Sequence, residues 1–206
     1  MTGFGQTKKR RKKMINNDKF VFETEASTCI HRAGIKDLLN YLSDKTDFYT
    51  APASTKYHGS FEGGLVKHSL SVYDCFWRIA PHFGFYNTDG TNLESAAIVC
   101  LFHDICKANF YTTSYRNVKD EETGKWMKMP YYTIDEKLAY GSHGAKSVFL
   151  LQEFIHLTPE EAIAVHNHMG AYNNGTYEKP GQAYEQYKLA WLLHVADEAS
   201  TFIEKI

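Results

Sequence analysis

Residues 101–107 read LFHDICK and place an imidazole beside a carboxylate at the end of an apolar stretch. The preceding residues, 96–100, are AAIVC, and Ile105 follows the polar pair. Histidine and aspartate rarely enter a hydrophobic core unless they are paired or bind a metal ion. His103 and Asp104 therefore predict either a buried ion pair or a metal site at the end of a core helix.

Apolar residues at helical spacing surround this stretch and predict five or six helices. Asn92 is the expected N-cap of the helix that carries His103, and Thr158 with Glu161 forms a capping box at the start of a later helix. The predicted helices cover residues 34–46, 65–80, 92–107, 142–155, 158–170 and 183–205.

Residues 110–134 have a different pattern, in which Tyr, Thr, Val and Trp flank the sequence EETGK. Such β-formers on both sides of a turn predict a β-hairpin inserted between helices. The predicted fold class is therefore all-α, a helical bundle with a small β-hairpin insertion at about residues 110–134.

The chain divides by charge into a basic start and an acidic remainder. Its formal net charge is −1, although residues 8–13 read KKRRKK. We expect residues 1–18 to be a basic disordered tail and residues 19–206 to be a single domain of ordinary size. The tail either aids solubility or contacts nucleic acid or another polyanion through residues 8–13.

The four cysteines, at positions 29, 75, 100 and 106, form no CxxC pair. A chain of 206 residues does not need disulfides, so a reducing, cytoplasmic location is the simpler expectation. The longest apolar run is far shorter than a membrane span, and we expect no membrane partner.

The chain has ten histidines, several of them at helix ends or on apolar helix faces. Neighbouring residues on a helix point about 100° apart, so His103 and Asp104 could both contact one ion beside their helix. Two residues from other helices, His68 and Asp197, could complete that site. A carboxylate has two oxygens, so Asp104 could also bridge to a second ion.

The second ion would be held by His143 and His168. Mixed imidazole and carboxylate ligands suit Mn, Fe, Ni, Co or Zn better than Ca, and Mg is a further candidate ion. Two ions about 3.5–4 Å apart are the usual arrangement for phosphoester hydrolysis. We therefore expect one or two divalent metal ions, with these candidate ligands: His68, His103, Asp104, His143, His168 and Asp197.

This order of residues resembles the HD superfamily of metal-dependent phosphohydrolases, whose pattern is H…HD…D with two extra histidines in the two-metal members. The segments around these residues also resemble those of bacterial and phage HD hydrolases, including the HD domain of a bacterial 3′-to-5′ exoribonuclease. These segments are GGLVKHSLSV, LFHDICK, GSHGAKSV, HNHMG and LLHVADEAS. The resemblance covers roughly residues 57–200. It implies a helical bundle, a metal centre and hydrolysis of phosphoester bonds.

Carried over by position, the resemblance implies that Asp104 is shared by both metal ions and is catalytic. Related sequences often read HDIGK, and here Cys106 replaces the glycine. Lys107 keeps the lysine position and is expected to contact a substrate phosphate and to assist catalysis. His58, in a glycine-flanked loop, is the second candidate for substrate binding.

Three functions follow from these observations. The first is a metal-dependent phosphohydrolase or phosphodiesterase that acts on a nucleotide or oligonucleotide through metal-activated water. The second is a di-iron oxygenase that uses the same ligands. The third is a non-enzymatic protein in which the tail binds nucleic acid and the bundle holds a structural metal. The substrate, the metal and the oligomeric state do not follow from the sequence.

Overall fold

The computed structural model describes residues 3–86, 90–121, 123–134, 142–172 and 179–206. Within these ranges the chain is mainly helical, as the sequence predicted. The α-helices are α1 Gly3–Cys29, α2 Ile35–Lys45, α3 Gly64–Ile79, α4 Thr91–Phe102, α5 His143–Gln152, α6 Pro159–Asn167, α7 Pro180–Gln186 and α8 Lys188–Glu198.

The predicted β-hairpin is confirmed. Strands β1 Tyr111–Lys119 and β2 Trp126–Ile134 pair in antiparallel register from Tyr111–Ile134 to Lys119–Trp126. At the turn, the Asp120 carboxylate accepts hydrogen bonds from the backbone and hydroxyl of Thr123, at 2.6 and 2.7 Å. The all-α fold class with a small hairpin is therefore correct.

Helix α4 forms the centre of the hydrophobic core, and every residue from 96 to 102 is buried. It packs against α1, α3, α6 and α8, while α3 also packs against α8 and α5 packs against α6. The ring of Phe102 meets Phe22 of α1 edge-on at 5.3 Å. Because α4 lies between these helices, the residues at its C-terminal end are placed where the other helices meet.

The start of the chain differs from expectation, because residues 3–18 lie in helix α1 and not in a disordered tail. Lysine and arginine are good helix formers, and no proline precedes Pro52 to interrupt a helix. The second half of α1 packs through Phe22 and Ala26, which are fully buried. The basic half extends the same helix, which an amphipathic pattern alone would not indicate. The proposed single domain over residues 19–206 stays a prediction.

Helix starts agree with the sequence in two places and differ in one. The capping box between Thr158 and Glu161 is present, and Ser142 caps α5 by accepting a hydrogen bond from the backbone of Ala145. The expected Asn92 N-cap is wrong, because α4 begins at Thr91 after Gly90 in a left-handed conformation.

Two expected helices are broken. Helix α4 ends at Phe102, and a separate 3-10 turn follows at Ile105–Lys107, so residues 92–107 are not one helix. The expected helix over residues 183–205 is divided at Tyr187, which is extended, and continues after α8 as a π-helical turn, Ala199–Glu204. Among the described residues, no helix combines the length and apolarity that crossing a membrane requires.

Candidate metal centre

Five of the six candidate ligands meet in the interior of the bundle. They come from four regions: His68 from α3, His103 and Asp104 from the end of α4, His168 from the end of α6, and Asp197 from α8. The three imidazoles are fully buried, and the exposed fractions of Asp104 and Asp197 are 2% and 8%. Buried polar side chains at this density require compensation by hydrogen bonds, ion pairs or a bound cation.

Each of the three buried imidazoles is held in place through its Nδ1 atom. Nδ1 of His103 lies 2.9 Å from the carbonyl oxygen of Cys100, and Nδ1 of His168 lies 2.6 Å from that of Val165. Nδ1 of His68 lies 3.2 Å from the hydroxyl of Ser200. A carbonyl oxygen only accepts, so in His103 and His168 the proton lies on Nδ1 and the lone pair on Nε2.

The Nε2 atoms of His68, His103 and His168 are buried and have no hydrogen-bond partner among the described residues, and the same holds for Oδ1 of Asp104. Nε2 of His68 lies 3.0 Å from Asp197 Oδ1, and Nε2 of His103 lies 3.4 Å from Asp104 Oδ2. Fixed Nδ1 protons with free Nε2 lone pairs near carboxylates are the arrangement of metal-ligating histidines.

The Asp104 carboxylate is also paired with a buried lysine. Nζ of Lys107 lies 2.6 Å from Asp104 Oδ2, and only 5% of Lys107 is exposed. Burial raises the pKa of Asp104, but the Lys107 charge and His103 outweigh burial, so the pKa lies well below its usual range. The same pairing outweighs the burial of Lys107 and raises its pKa, so both groups are charged at neutral pH.

The second carboxylate is likewise ionised. Burial raises the pKa of Asp197, but His68, together with His103 and His168, outweighs burial and holds the pKa below its usual range. Burial lowers the pKa of His103, but Asp104, Asp197 and the Cys100 carbonyl together outweigh burial and raise it. The cluster therefore presents anionic oxygens, the ligand type that a divalent cation requires.

The sixth candidate, His143, lies beside this cluster at the first position of α5. It is half-buried, and its Nδ1 is 3.2 Å from Sγ of Cys106. A Cβ atom on Gly144 would lie 2.1 Å from the backbone oxygen of His166, so a larger residue is excluded where α5 approaches α6. Burial lowers the pKa of His143 to about 4, so the imidazole is neutral and able to coordinate at neutral pH.

His58 lies next to the cluster as well, in the loop before α3. Its ring centroid is 4.8 Å from that of His68, and its Nε2 is buried without a hydrogen-bond partner among the described residues. Burial lowers the pKa of His58 to about 4. Its place beside the cluster, with a neutral imidazole, suits contact with a substrate.

Within the described part of the chain, the ligand atoms form three overlapping groups within 4.8 Å: His68, His103 and Asp104; His103, His168 and Asp197; and Asp104, Cys106 and His143. The sequence analysis instead assigned His143 and His168 to one ion. His168 still reaches Asp104, because its Nε2 is 3.5 Å from Oδ1. The assignment of the six residues as ligands and their division between two ions both stay predictions.

Sequence reasoning missed two contributors to the site. Ser200 was not singled out, and Cys106 was treated only as a substitution. His194 also contacts the site, because its Nδ1 lies 2.7 Å from the backbone oxygen of His168, and its ring stacks on Tyr184. These contacts join distant parts of the chain, so no local sequence signal identifies them.

The sequence model of one family, the HD domain, matches residues 65–201, which is more than half of the chain and includes all six candidate ligands. No curated protein and no solved structure matches the chain.

Proposed function

The chain belongs to the HD domain family, and from this membership we propose that it is a metal-dependent phosphohydrolase that cleaves a phosphoester of a nucleotide or nucleic acid. HD domains bind divalent metals and are generally metal-dependent phosphohydrolases. The observation that carries the proposal is the set of buried Nε2 atoms around the two ionised carboxylates, for which the described residues offer no hydrogen-bond partner.

The residues fit a divalent cation. His68, His103, Asp104 and Asp197 would hold one ion, and His143 and His168 would extend the site toward a second. When bound, such an ion acts as a Lewis acid and lowers the pKa of water from 15.7 to about 7. The Nδ1 contacts fix the imidazoles in the orientation that coordination needs, so little rearrangement accompanies binding.

Lys107 supplies the positive charge nearest to the carboxylates. Its ammonium group pairs with Asp104 Oδ2 at 2.6 Å. Once that oxygen is shared with a metal ion, the ammonium would be available to a substrate phosphate, whose negative charge increases in the transition state. A preorganised cation in a buried site stabilises such charge far better than one in water.

His58 would bind the substrate beside the metal cluster. Its neutral ring, whose Nε2 has no hydrogen-bond partner in the part of the chain that the structure describes, can donate to or accept from a phosphate oxygen or a leaving group. Because the ring packs against His68, it would lie next to a metal-bound phosphate.

A cleft between the His58 loop and the hairpin suits a nucleotide. Its volume is about 460 Å³, and Lys56 and Arg116 line it together with Tyr131 and Tyr132. Cationic side chains attract phosphates, and aromatic side chains stack on bases. Arg116 lies 5.6 Å from the centre of the Tyr131 ring, so the guanidinium and the ring present one combined surface.

Contact with nucleic acid through residues 8–13 is the second part of the proposal. Arg10, Lys12 and Lys13 are exposed on helix α1. Exposed cations on one helix attract phosphates, and binding through them weakens steeply with salt. Replacing residues 8–13 with alanine should flatten that salt dependence for RNA or DNA; an unchanged slope would refute this contact.

The enzymatic proposal is tested by incubating the purified protein and Mn²⁺ with nucleoside phosphates, cyclic dinucleotides and short RNA or DNA. We expect phosphate or nucleotide release that Asp104→Ala abolishes and Asp44→Ala leaves intact, because Asp44 is exposed on α2, outside the metal cluster. Hydrolysis that survives Asp104→Ala would overturn the assignment.

A further inference from the structure

Beyond the histidine cluster, we propose that Cys106, His143 and Asp104 form a thiolate-containing metal position that takes a thiophilic divalent cation, with Zn²⁺ as the ion we expect. This inference rests on the proposed function, because it concerns the metal centre of the same site. It adds a sulfur ligand and a preference for one class of metal.

The geometry of the three side chains supports this position. Sγ of Cys106 lies 3.2 Å from Nδ1 of His143, and the ligand atoms of all three residues lie within 4.8 Å of one another. In a tetrahedral zinc site, Zn–S and Zn–N bonds of about 2.3 and 2.0–2.1 Å place the sulfur and nitrogen about 3.6 Å apart. A shift of a few tenths of an ångström therefore brings both atoms to one ion.

The third ligand provides an independent reason to expect a cation here. Asp104 is 2% exposed, and its Oδ1 has no hydrogen-bond partner among the described residues. Its other oxygen is paired with Lys107. A buried carboxylate oxygen that accepts no hydrogen bond costs free energy that a coordinated cation would recover.

The fold holds Cys106 in place through a contact with α5. Its backbone N–H donates to the hydroxyl of Ser147 on α5 at 3.4 Å, which fixes the 3-10 turn against the helix that carries His143. Only 7% of Cys106 is exposed. Ligands supported by such contacts keep their geometry without the metal.

Coordination also accounts for the thiol proton. A cysteine thiol is mostly protonated at neutral pH in the absence of a metal. A bound cation deprotonates a coordinating thiol outright, and here the proton would pass to solvent as the metal–sulfur bond forms. Three protein ligands leave the fourth position of a tetrahedral ion open for water or a phosphate oxygen.

Soft thiolate ligands favour zinc over manganese and magnesium, which prefer oxygen. The position would therefore differ in metal preference from the neighbouring cluster of imidazoles and carboxylates. A centre with one thiolate-containing position and one position made of imidazoles and carboxylates would bind two different metals.

The test is the absorption spectrum of the full chain titrated with Co²⁺, which replaces Zn²⁺ and reports on its ligands. We expect a thiolate-to-cobalt charge-transfer band in the near-ultraviolet. The band should disappear in Cys106→Ser and in Cys106→Gly. It should remain in Cys29→Ser, a matched control because Cys29 is also 7% exposed and lies at the end of α1, outside the three ligand groups.

Metal competition gives a second readout that does not depend on activity. We expect Cys106→Gly to lower Zn²⁺ affinity by at least the 10–100-fold that loss of an outer contact typically costs, while Mn²⁺ affinity changes little. Equal Zn²⁺ affinities in the wild type and Cys106→Gly would overturn the inference.

The cobalt spectrum separates the two proposals. Bound Co²⁺ with ligand-field bands but no charge-transfer band would overturn the sulfur ligand and leave the histidine centre standing. If no Co²⁺ binds to the wild type at all, both the sulfur ligand and the proposed metal-dependent function are wrong. A charge-transfer band that persists in Cys106→Gly would also overturn the assignment to this residue.

Discussion

In the buried imidazoles, Nδ1 contacts a neighbouring part of the fold, and Nε2 faces the carboxylates. For His68 the supporting atom is the hydroxyl of Ser200, 3.2 Å from Nδ1. Such a contact orients a ligand without touching the metal, and its loss typically costs 10–100-fold in metal affinity. Ser200 therefore acts as a positioning residue for His68.

We predict that Ser200→Ala weakens metal binding about tenfold or more while the fold is kept. Calorimetric titration with Mn²⁺ measures the loss. Ser69→Ala is the matched control, because Ser69 is also fully buried and its hydroxyl has no hydrogen-bond partner among the described residues. Equal affinities in the two variants would show that Ser200 does not position His68.

We also predict that His58→Ala lowers kcat/KM about 100-fold while metal content is unchanged, because His58 would contact the substrate and not the ion. Elemental analysis and steady-state kinetics measure the two effects. His82→Ala, at an exposed position, should change neither. Loss of metal from His58→Ala would instead identify His58 as a ligand.

At the residue scale, the sequence identified the ligand candidates because the segments LFHDICK and LLHVADEAS place polar side chains among apolar ones. It did not identify the contact between Cys106 and His143. That contact arises from the packing of α5 against the 3-10 turn, with 36 residues between the two positions in the chain. Packing at that separation leaves no local pattern to detect.

At the element scale, α6 is anchored by its first turn. Glu161 completes the capping box with Thr158, and its carboxylate accepts hydrogen bonds from Arg32 and Ser95, at 2.9 and 2.7 Å from Oε1. Glu161 is fully buried. This one side chain therefore joins α6 to α4 and to the segment after α1, and it supports the helix that ends in His168.

We predict that Glu161→Ala lowers the free energy of unfolding by about 2–3 kcal/mol, because charged hydrogen bonds and a largely buried ion pair are lost together. Urea denaturation measures the change, with Glu160→Ala in the same helical turn as the control. A loss below about 0.5 kcal/mol would mean that the network contributes no more than an ordinary surface contact.

The same side chain gives a pH dependence of stability. Burial raises the pKa of Glu161, but hydrogen bonds from Arg32 and Ser95 outweigh burial and lower it below its ordinary value of 4.5. Folding thus favours the ionised form, so the contribution is fully present above pH 4.5 and is lost as pH falls through the lower folded pKa. The stability difference between the wild type and Glu161→Ala should shrink over that acidic range and stay constant from pH 6 to pH 7.

Element types were largely predictable, whereas breaks and ends were not. The apolar run before His103 contains no glycine or proline, so nothing in it indicates that α4 ends at Phe102. That end matters for the site, because Asp104 leaves helical geometry with φ −106° and ψ 18°. The basic half of α1 lacks an apolar stripe. It is helical because it extends the half of α1 that packs against the core.

At the scale of the whole molecule, the bundle encloses ionised carboxylates that a bound cation would compensate. We predict that a divalent ion at 100 times its dissociation constant stabilises the fold by about 2.7 kcal/mol. For a chain of this size that corresponds to a Tm rise of roughly 5–10 °C. EDTA should reverse the rise, and Asp197→Ala should reduce it.

Calorimetry with Mn²⁺, Zn²⁺ and Mg²⁺ in parallel measures this shift. A Tm that no divalent ion changes would mean that Lys107 and the imidazoles already compensate the carboxylates. The metal centre would then lack the thermodynamic basis proposed here.

The most direct test of the metal centre is a crystal structure of the protein grown with Mn²⁺ and measured for anomalous scattering. We predict at least one anomalous peak about 2–2.5 Å from Nε2 of His68 and His103 and from oxygens of Asp104 and Asp197. If Mn²⁺ instead binds only at the surface, and the carboxylates remain paired with Lys107 and the imidazoles, the proposed metal-dependent chemistry is wrong.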